Sequence, residues 1–129
     1  MFSLKESLDL LESRIARANW HWNFLIALNL AVLGWLLTQG RDIERKYKFA
    51  LTLILSAAYL INLLALLRAQ TEMHLFLQEV KSNLKKNTED TGELGKLFGA
   101  RSYSWYKPVT FIVHIAADTI ILILLWTHK

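Results

Sequence analysis

The fold is decided by residues 108–126, which read PVTFIVHIAADTIILILLW. About 20 apolar residues, each rising about 1.5 Å, make a helix long enough to cross a bilayer. Two ionisable side chains, His114 and Asp118, lie in the middle of this run. A carboxylate at mid-span costs about 3 kcal/mol, so Asp118 requires a partner, water or a proton. The stretch predicts a transmembrane helix over 108–127 that carries a polar site.

Two further runs, residues 20–40 and 49–67, contain no Asp, Glu, Lys or Arg. The chain of 129 residues is 53% hydrophobic and 20% charged, so its charges are segregated between the apolar runs. The polar segments that remain are too short for a separate globular domain. The sequence therefore predicts an all-α integral membrane protein with three transmembrane helices in a single membrane domain.

A helix is predicted to begin near Ser3, because Ser3 and Glu6 have the spacing of a capping box. Apolar residues then recur at alternating intervals of four and three, which is the pattern of a coiled-coil seam. This seam passes without proline into the first apolar run, and Gly40 is expected to end the helix. We expect one helix over 3–38, of which residues 3–19 project from the bilayer.

The second apolar run is also expected to continue beyond the membrane. Its apolar seam crosses into the polar segment 68–86 without a helix breaker, which predicts one helix over 48–86. A tight turn between the first two spans makes them antiparallel neighbours. The segments 3–19 and 68–86 are therefore expected to form an antiparallel helical hairpin outside the bilayer.

Opposite charges meet when these two segments are aligned. The alignment places Glu6 beside Lys81 and Arg14 near Glu72. Each exposed pair contributes about 0.2 to 1 kcal/mol, so the pairs would set the register and the apolar seam would supply the stability. The alternative is that these charges form a solvated face.

Residues 87–107 are predicted to form a polar loop with at most a short surface helix around 94–98. Three aromatic residues near its end, Tyr103, Trp105 and Tyr106, are typical of a membrane interface. They would lie at the same level as the tryptophans at the start of the first span. The loop and the amino terminus are therefore expected on one side of the membrane.

The distribution of basic residues predicts the orientation. Ten Lys and Arg residues belong to the amino-terminal side and five to the opposite side. The positive-inside rule then places the amino terminus inside and the carboxyl terminus outside, in a bacterial inner membrane. The net charge of +4 includes no long basic tract, so we attribute it to lipid headgroups and not to nucleic acid.

Polar residues of the three predicted spans fall at similar depths. His114 and Asp118 are four residues apart and share one helix face, and about 1.5 Å per residue puts Asn62 level with His114. Two interpretations are open: hydrogen bonds that fix the bundle, or a hydrated path for an ion or proton. The candidate polar site consists of Asp118, His114, Asn62, Tyr59, Ser56, Asn29 and Asn23.

Small residues recur on the first span at Ala27, Ala31 and Gly34, and they permit close approach of another helix. Three thin helices do not enclose a pathway, so a path at Asp118 is predicted around the axis of a homo-oligomer. A ring of Asp118 carboxylates would favour cations.

The sequence carries no sign of a cofactor or a metal site. It contains no cysteine, and although His21 and His114 fall on the same side, neither belongs to a recognised haem-ligand motif. His74 and His128 lack the paired spacing of metal ligands. We therefore predict no cofactor.

Two functions agree with these features. The first is a homo-oligomeric ion or proton pathway, lined by the polar face of the third span and gated or docked through the projecting helices. The alternative is a non-catalytic anchor or accessory subunit whose segments 3–19 and 68–86 bind a soluble or membrane protein partner. An enzyme is not expected, because the sequence has no nucleotide-binding loop and no nucleophile motif.

Overall fold

The computed structural model describes residues 2–38, 43–86 and 92–127. Their regular structure consists of α1 (Leu4–Thr38), α2 (Arg45–Lys86), α3 (Gly92–Gly99) and α4 (Tyr106–Thr127). Three of these helices, α1, α2 and α4, are long and apolar enough to cross a membrane. The predicted all-helical fold with three apolar helices of spanning length is thereby confirmed for the described residues, and three such helices indicate a membrane protein. Gly40, His128 and the start of the loop at 87–91 lie outside the described residues.

The first turn of α1 is held by the predicted capping box. The backbone amide of Ser3 donates to the Glu6 carboxylate at 2.7 Å, and the Glu6 amide donates to the Ser3 hydroxyl at 3.2 Å. Two amides that have no partner within the helix are satisfied in this way. The helix therefore begins at Leu4 with Ser3 as its N-cap.

The capping box should make the start of α1 sensitive to pH. The hydrogen bond from Ser3 holds the pKa of Glu6 below its ordinary value of 4.5. A group with a lowered pKa contributes its stability above the ordinary value and loses it as the pH falls through the folded-state pKa. We expect amide protection in this turn, measured by hydrogen-exchange NMR, to fall as the pH drops below 4.5.

Two variants separate the cap from other acidic groups. Glu6→Gln keeps an acceptor for the Ser3 amide and should abolish this pH dependence. Glu12→Gln removes an exposed carboxylate from the same helix and should leave the pH dependence intact. A first turn whose protection is equally sensitive to pH in Glu6→Gln would contradict the assignment.

The amino-terminal half of α1 packs on the carboxyl-terminal half of α2. Seam residues of both helices form what we call the first core cluster, which consists of Leu11, Ala18, Leu66, Ala69, Met73, Leu77, Val80 and Leu84. Contacts pair residues in reverse order along the two helices: Asn83 Nδ2 lies 3.1 Å from Ser7 Oγ, and Arg14 Nε lies 2.9 Å from Glu72 Oε2. The predicted meeting of Arg14 and Glu72 is confirmed.

The predicted pair of Glu6 and Lys81 is wrong. Glu6 bonds to Ser3 within its own helix, and Lys81 Nζ donates to the backbone carbonyl of Arg101 at 2.7 Å. The reason is that the segment leading into α4 returns beside α2. It brings a carbonyl to Lys81, while local capping already uses the Glu6 carboxylate.

The predicted loop contains the eight-residue helix α3, which is longer than the short surface helix expected there. Phe98 of α3 and Tyr103 beyond it pack against the first core cluster. The Arg101 guanidinium lies over the Phe98 ring, 5.3 Å from its centre. These contacts place the segment before α4 alongside α1 and α2.

The apolar half of the molecule has its own core. What we call the second core cluster consists of Leu25, Leu55, Tyr59 and Ile121, one or two residues from each long helix. At the far end of α4, the indole nitrogen of Trp126 donates to Thr52 Oγ1 on α2 at 3.0 Å. Helix α4 starts two residues before Pro108, so this proline lies in the first turn, where it removes no helical hydrogen bond.

Candidate polar site between the three long helices

Asn62 of α2 is the centre of a hydrogen-bonded network that joins all three long helices. Its side-chain oxygen lies 3.0 Å from Nδ1 of His21 on α1. Its side-chain nitrogen donates to the His21 carbonyl at 3.2 Å and lies 3.1 Å from Nε2 of His114 on α4. The Asn62 amide thus makes three hydrogen bonds, two to α1 and one to α4. Asn62 therefore fixes the rotation of α1, α2 and α4 relative to one another.

The hydrogen bonds also determine which nitrogen of each imidazole carries a proton. His114 Nδ1 lies 2.9 Å from the Thr110 carbonyl, which can only accept, so Nδ1 donates and Nε2 receives the Asn62 amide. His21 Nδ1 faces the Asn62 oxygen and likewise donates. His114 is 1% exposed, and both of its ring nitrogens are hydrogen-bonded within this chain.

The network extends from His114 to Gln70 through Thr110. Gln70 Nε2 donates to the Thr110 hydroxyl at 2.6 Å, and both side chains are almost completely buried. Gln70 Oε1 is buried and has no hydrogen-bond partner among residues 2–38, 43–86 and 92–127. A buried acceptor without a donor is unusual in a folded protein. The described residues therefore leave one hydrogen bond of Gln70 unmade.

A second polar layer lies deeper along the bundle. The Tyr59 hydroxyl donates to Asn29 Oδ1 at 2.5 Å, and the Asn29 amide nitrogen donates to the Leu25 carbonyl at 2.8 Å. Asp118 lies one helical turn beyond His114 on α4. Its Oδ1 atom is buried, and no group in the described parts of the chain bonds to it.

The structure does not gather all of the predicted site residues. Asn62 contacts His114 directly and Tyr59 contacts Asn29, whereas Ser56 is only partly buried and Asn23 is exposed. The small residues of α1 are exposed as well, and a Cβ added to Gly34 would meet no atom within 4 Å. Ala27 and Ala31 share this exposure, so no helix of the described chain covers the small-residue face of α1.

Sequence reasoning missed two members of the network. The sequence indicates His21 only as a potential haem ligand, whereas in the structure its ring and its carbonyl both contact Asn62. Gln70 occupies a seam position between Leu66 and Met73. A polar residue in an apolar seam indicates a buried hydrogen bond, and this is the feature of the sequence that points to Gln70. The role of each depends on its hydrogen-bond partners on other helices, which spacing along one helix does not define.

Within the described ranges, no group of three or more His, Cys, Asp or Glu side chains could hold a metal ion. The absence of a cofactor stays a prediction. Comparison with known proteins gives no further assignment: no family model, curated protein or solved structure matches this chain.

Proposed function

We propose that this chain is a non-enzymatic integral membrane protein whose copies assemble around an ion or proton pathway marked by Asp118. One observation carries the proposal. Asp118 has a buried carboxylate oxygen with no partner in the described residues, whereas Asn62, His114, Tyr59 and Asn29 bond within the chain. A carboxylate in an apolar helix requires a cation, water or a proton, and the described residues supply no donor to Asp118 Oδ1.

The proposed placement puts the second core cluster in the bilayer and the first core cluster outside it. The halves of α1 and α2 that carry the first core cluster would form the antiparallel hairpin predicted for 3–19 and 68–86. The Arg14–Glu72 ion pair supports this placement, because both side chains are 23% exposed and suit water better than lipid. Helical spans suit a bacterial inner membrane, and the ten-to-five excess of basic residues favours a cytoplasmic amino terminus.

The proposed path lies between copies because the interior of the single chain is filled by side chains. Side chains of the network occupy the space between α1, α2 and α4, with His114 and Asn62 nearly inaccessible. A path therefore has to lie where copies meet, which makes a homo-oligomer part of the proposal. The exposed small residues Ala27, Ala31 and Gly34 permit the close helix approach that such an assembly needs.

An accessory subunit is the second candidate function. Large apolar side chains are exposed on the proposed projecting part, among them Phe2 at 48%, Leu75 at 61% and Leu97 at 56%. Exposed apolar side chains outside a membrane favour a protein partner when they form a patch. In this case the chain would be a membrane anchor, and its polar network would serve stability alone.

The test combines native mass spectrometry with conductance measurements on the same protein reconstituted in lipid. We expect a ring of several copies and a cation conductance that falls in Asp118→Asn, because the amide carries no charge to attract a cation. Asp118→Glu keeps the charge and should retain most of the conductance.

A monomer without conductance would overturn the pathway and favour the accessory subunit. A ring whose conductance is the same in the wild type and in Asp118→Asn would move the path away from this residue.

A further inference from the structure

A cleft of about 550 Å³ opens where α1, α2 and the segment before α4 meet. Aromatic residues form much of its wall: Trp22 comes from α1, Tyr103 and Trp105 come from the segment before α4, and Tyr106 is the first residue of α4. The Trp105 and Tyr106 rings stack with centres 4.2 Å apart. This cleft lies at the level where aromatic residues meet lipid headgroups in the proposed placement.

The floor of the cleft includes Gln70, which is 1% exposed. Its nitrogen is used by Thr110, and its oxygen is left without a donor in the described part of the chain. A residue that lines the cleft therefore carries a buried hydrogen-bond acceptor that has no donor among the described residues. A molecule bound there would satisfy this oxygen with an N–H or O–H group.

A basic residue, Arg101, is also among the residues that line the cleft, and it is exposed. The Arg101 side chain and backbone are both held in place, by the Phe98 ring and by Lys81 respectively. No Asp or Glu is among the residues of the described chain that line the cleft. A guanidinium group is well suited to bind the oxygens of a phosphate.

We infer that this cleft binds the headgroup of one phospholipid from the surrounding leaflet. Arg101 binds the lipid phosphate, Gln70 accepts a hydrogen bond from the headgroup, and the aromatic wall contacts the glycerol and upper acyl region. Ethanolamine and glycerol headgroups carry N–H or O–H donors, whereas choline carries none, so the site selects the first two over choline. The inference rests on the bilayer placement in the proposed function and is independent of a path at Asp118.

The test measures which lipid stays bound. The chain is reconstituted in nanodiscs with equal amounts of ethanolamine, glycerol and choline phospholipids, released into detergent and analysed by native mass spectrometry. We expect one bound ethanolamine or glycerol phospholipid, retained several-fold more than the choline lipid. Equal retention of the choline lipid would overturn the inference without any variant.

Paired variants assign the contacts. Gln70→Met should abolish headgroup preference, while Gln78→Met, an exposed glutamine on the same helix, should not. Arg101→Gln replaces an exposed arginine that lines the cleft and should reduce the retention of every phospholipid severalfold. Its control, Arg17→Gln, removes an exposed charge outside the cleft and should leave retention unchanged. A preference that survives Gln70→Met, or retention unchanged in Arg101→Gln, would refute the site.

The same experiment separates this inference from the proposed function. Asp118→Asn should leave lipid retention unchanged, because Asp118 does not line the cleft. Ring assembly with conductance but no headgroup preference would refute the lipid site alone. Headgroup preference in a non-conducting monomer would refute the pathway alone.

Discussion

Leu77→Ala is expected to lower the free energy of unfolding by about 2 to 5 kcal/mol. Leu77 is 1% exposed and lies in the first core cluster, packed between α1 and α2. Truncation removes buried apolar surface and leaves a cavity that the surrounding helices fill only partly. Because the proposed placement puts this cluster in water, the hydrophobic effect acts on it at full strength, unlike on side chains that face lipid.

Leu75 provides a matched control two residues away on the same helix. It is 61% exposed, so Leu75→Ala should change the free energy of unfolding by less than about 0.5 kcal/mol. Both variants can be compared with the wild type by denaturant titration in a mild detergent, followed by circular dichroism. Equal effects of the two substitutions would contradict the packing of α1 on α2.

Asn62→Leu is expected to lower the free energy of unfolding by about 2 to 3 kcal/mol. A single hydrogen bond between membrane helices contributes about 0.6 kcal/mol on average and at most about 1.7. Asn62 contributes three, and its loss leaves an unsatisfied nitrogen on the buried His114 and another on the partly buried His21. The apolar side chain of leucine satisfies neither imidazole, so the penalty of the unpaired groups adds to the lost bonds.

Asn23→Leu is the control for this variant, because Asn23 is exposed on α1 and bonds to none of these residues. It should leave the stability of the monomer within about 0.5 kcal/mol of the wild type. Nitrogen NMR of the imidazoles adds an independent measurement: His114 should be protonated at Nδ1 in the wild type and lose this fixed form in Asn62→Leu. Equal stability of the two variants would exclude the network as a stabilising element.

Most of the helical architecture follows from patterns that are strong in the sequence. The apolar seam is long enough to predict both α1 and α2 as continuous helices, and it includes Leu11, Leu66 and Leu77, which the structure buries. Counting about 1.5 Å of rise per residue also predicts that Asn62 and His114 lie at the same level, and the two side chains are in contact. Rise per residue is a fixed property of the α-helix, so depths along parallel axes are predictable.

Rotation about the helix axis is not predictable in the same way. His21 and Gln70 belong to the network because α1 turns His21 toward Asn62 and α2 turns Gln70 toward Thr110. A sequence pattern does not define which residue of another helix a side chain contacts. The pairing of Glu6 with Lys81 failed for a related reason. That prediction assumes that neither charge has another partner, whereas the Glu6 carboxylate accepts from the Ser3 amide and Lys81 donates to the Arg101 carbonyl. The path at Asp118 stays a prediction.

Helix α2 has a mechanical consequence. Its 42 residues contain no glycine or proline and extend over about 60 Å, twice the roughly 30 Å of a hydrocarbon core. Long helices without such residues bend only gently, so α2 is a stiff rod that joins the first core cluster to the second. In the proposed placement, a load applied to α2 at Val80, outside the bilayer, would be carried along the rod to Thr52 and its hydrogen bond with Trp126 at the other end.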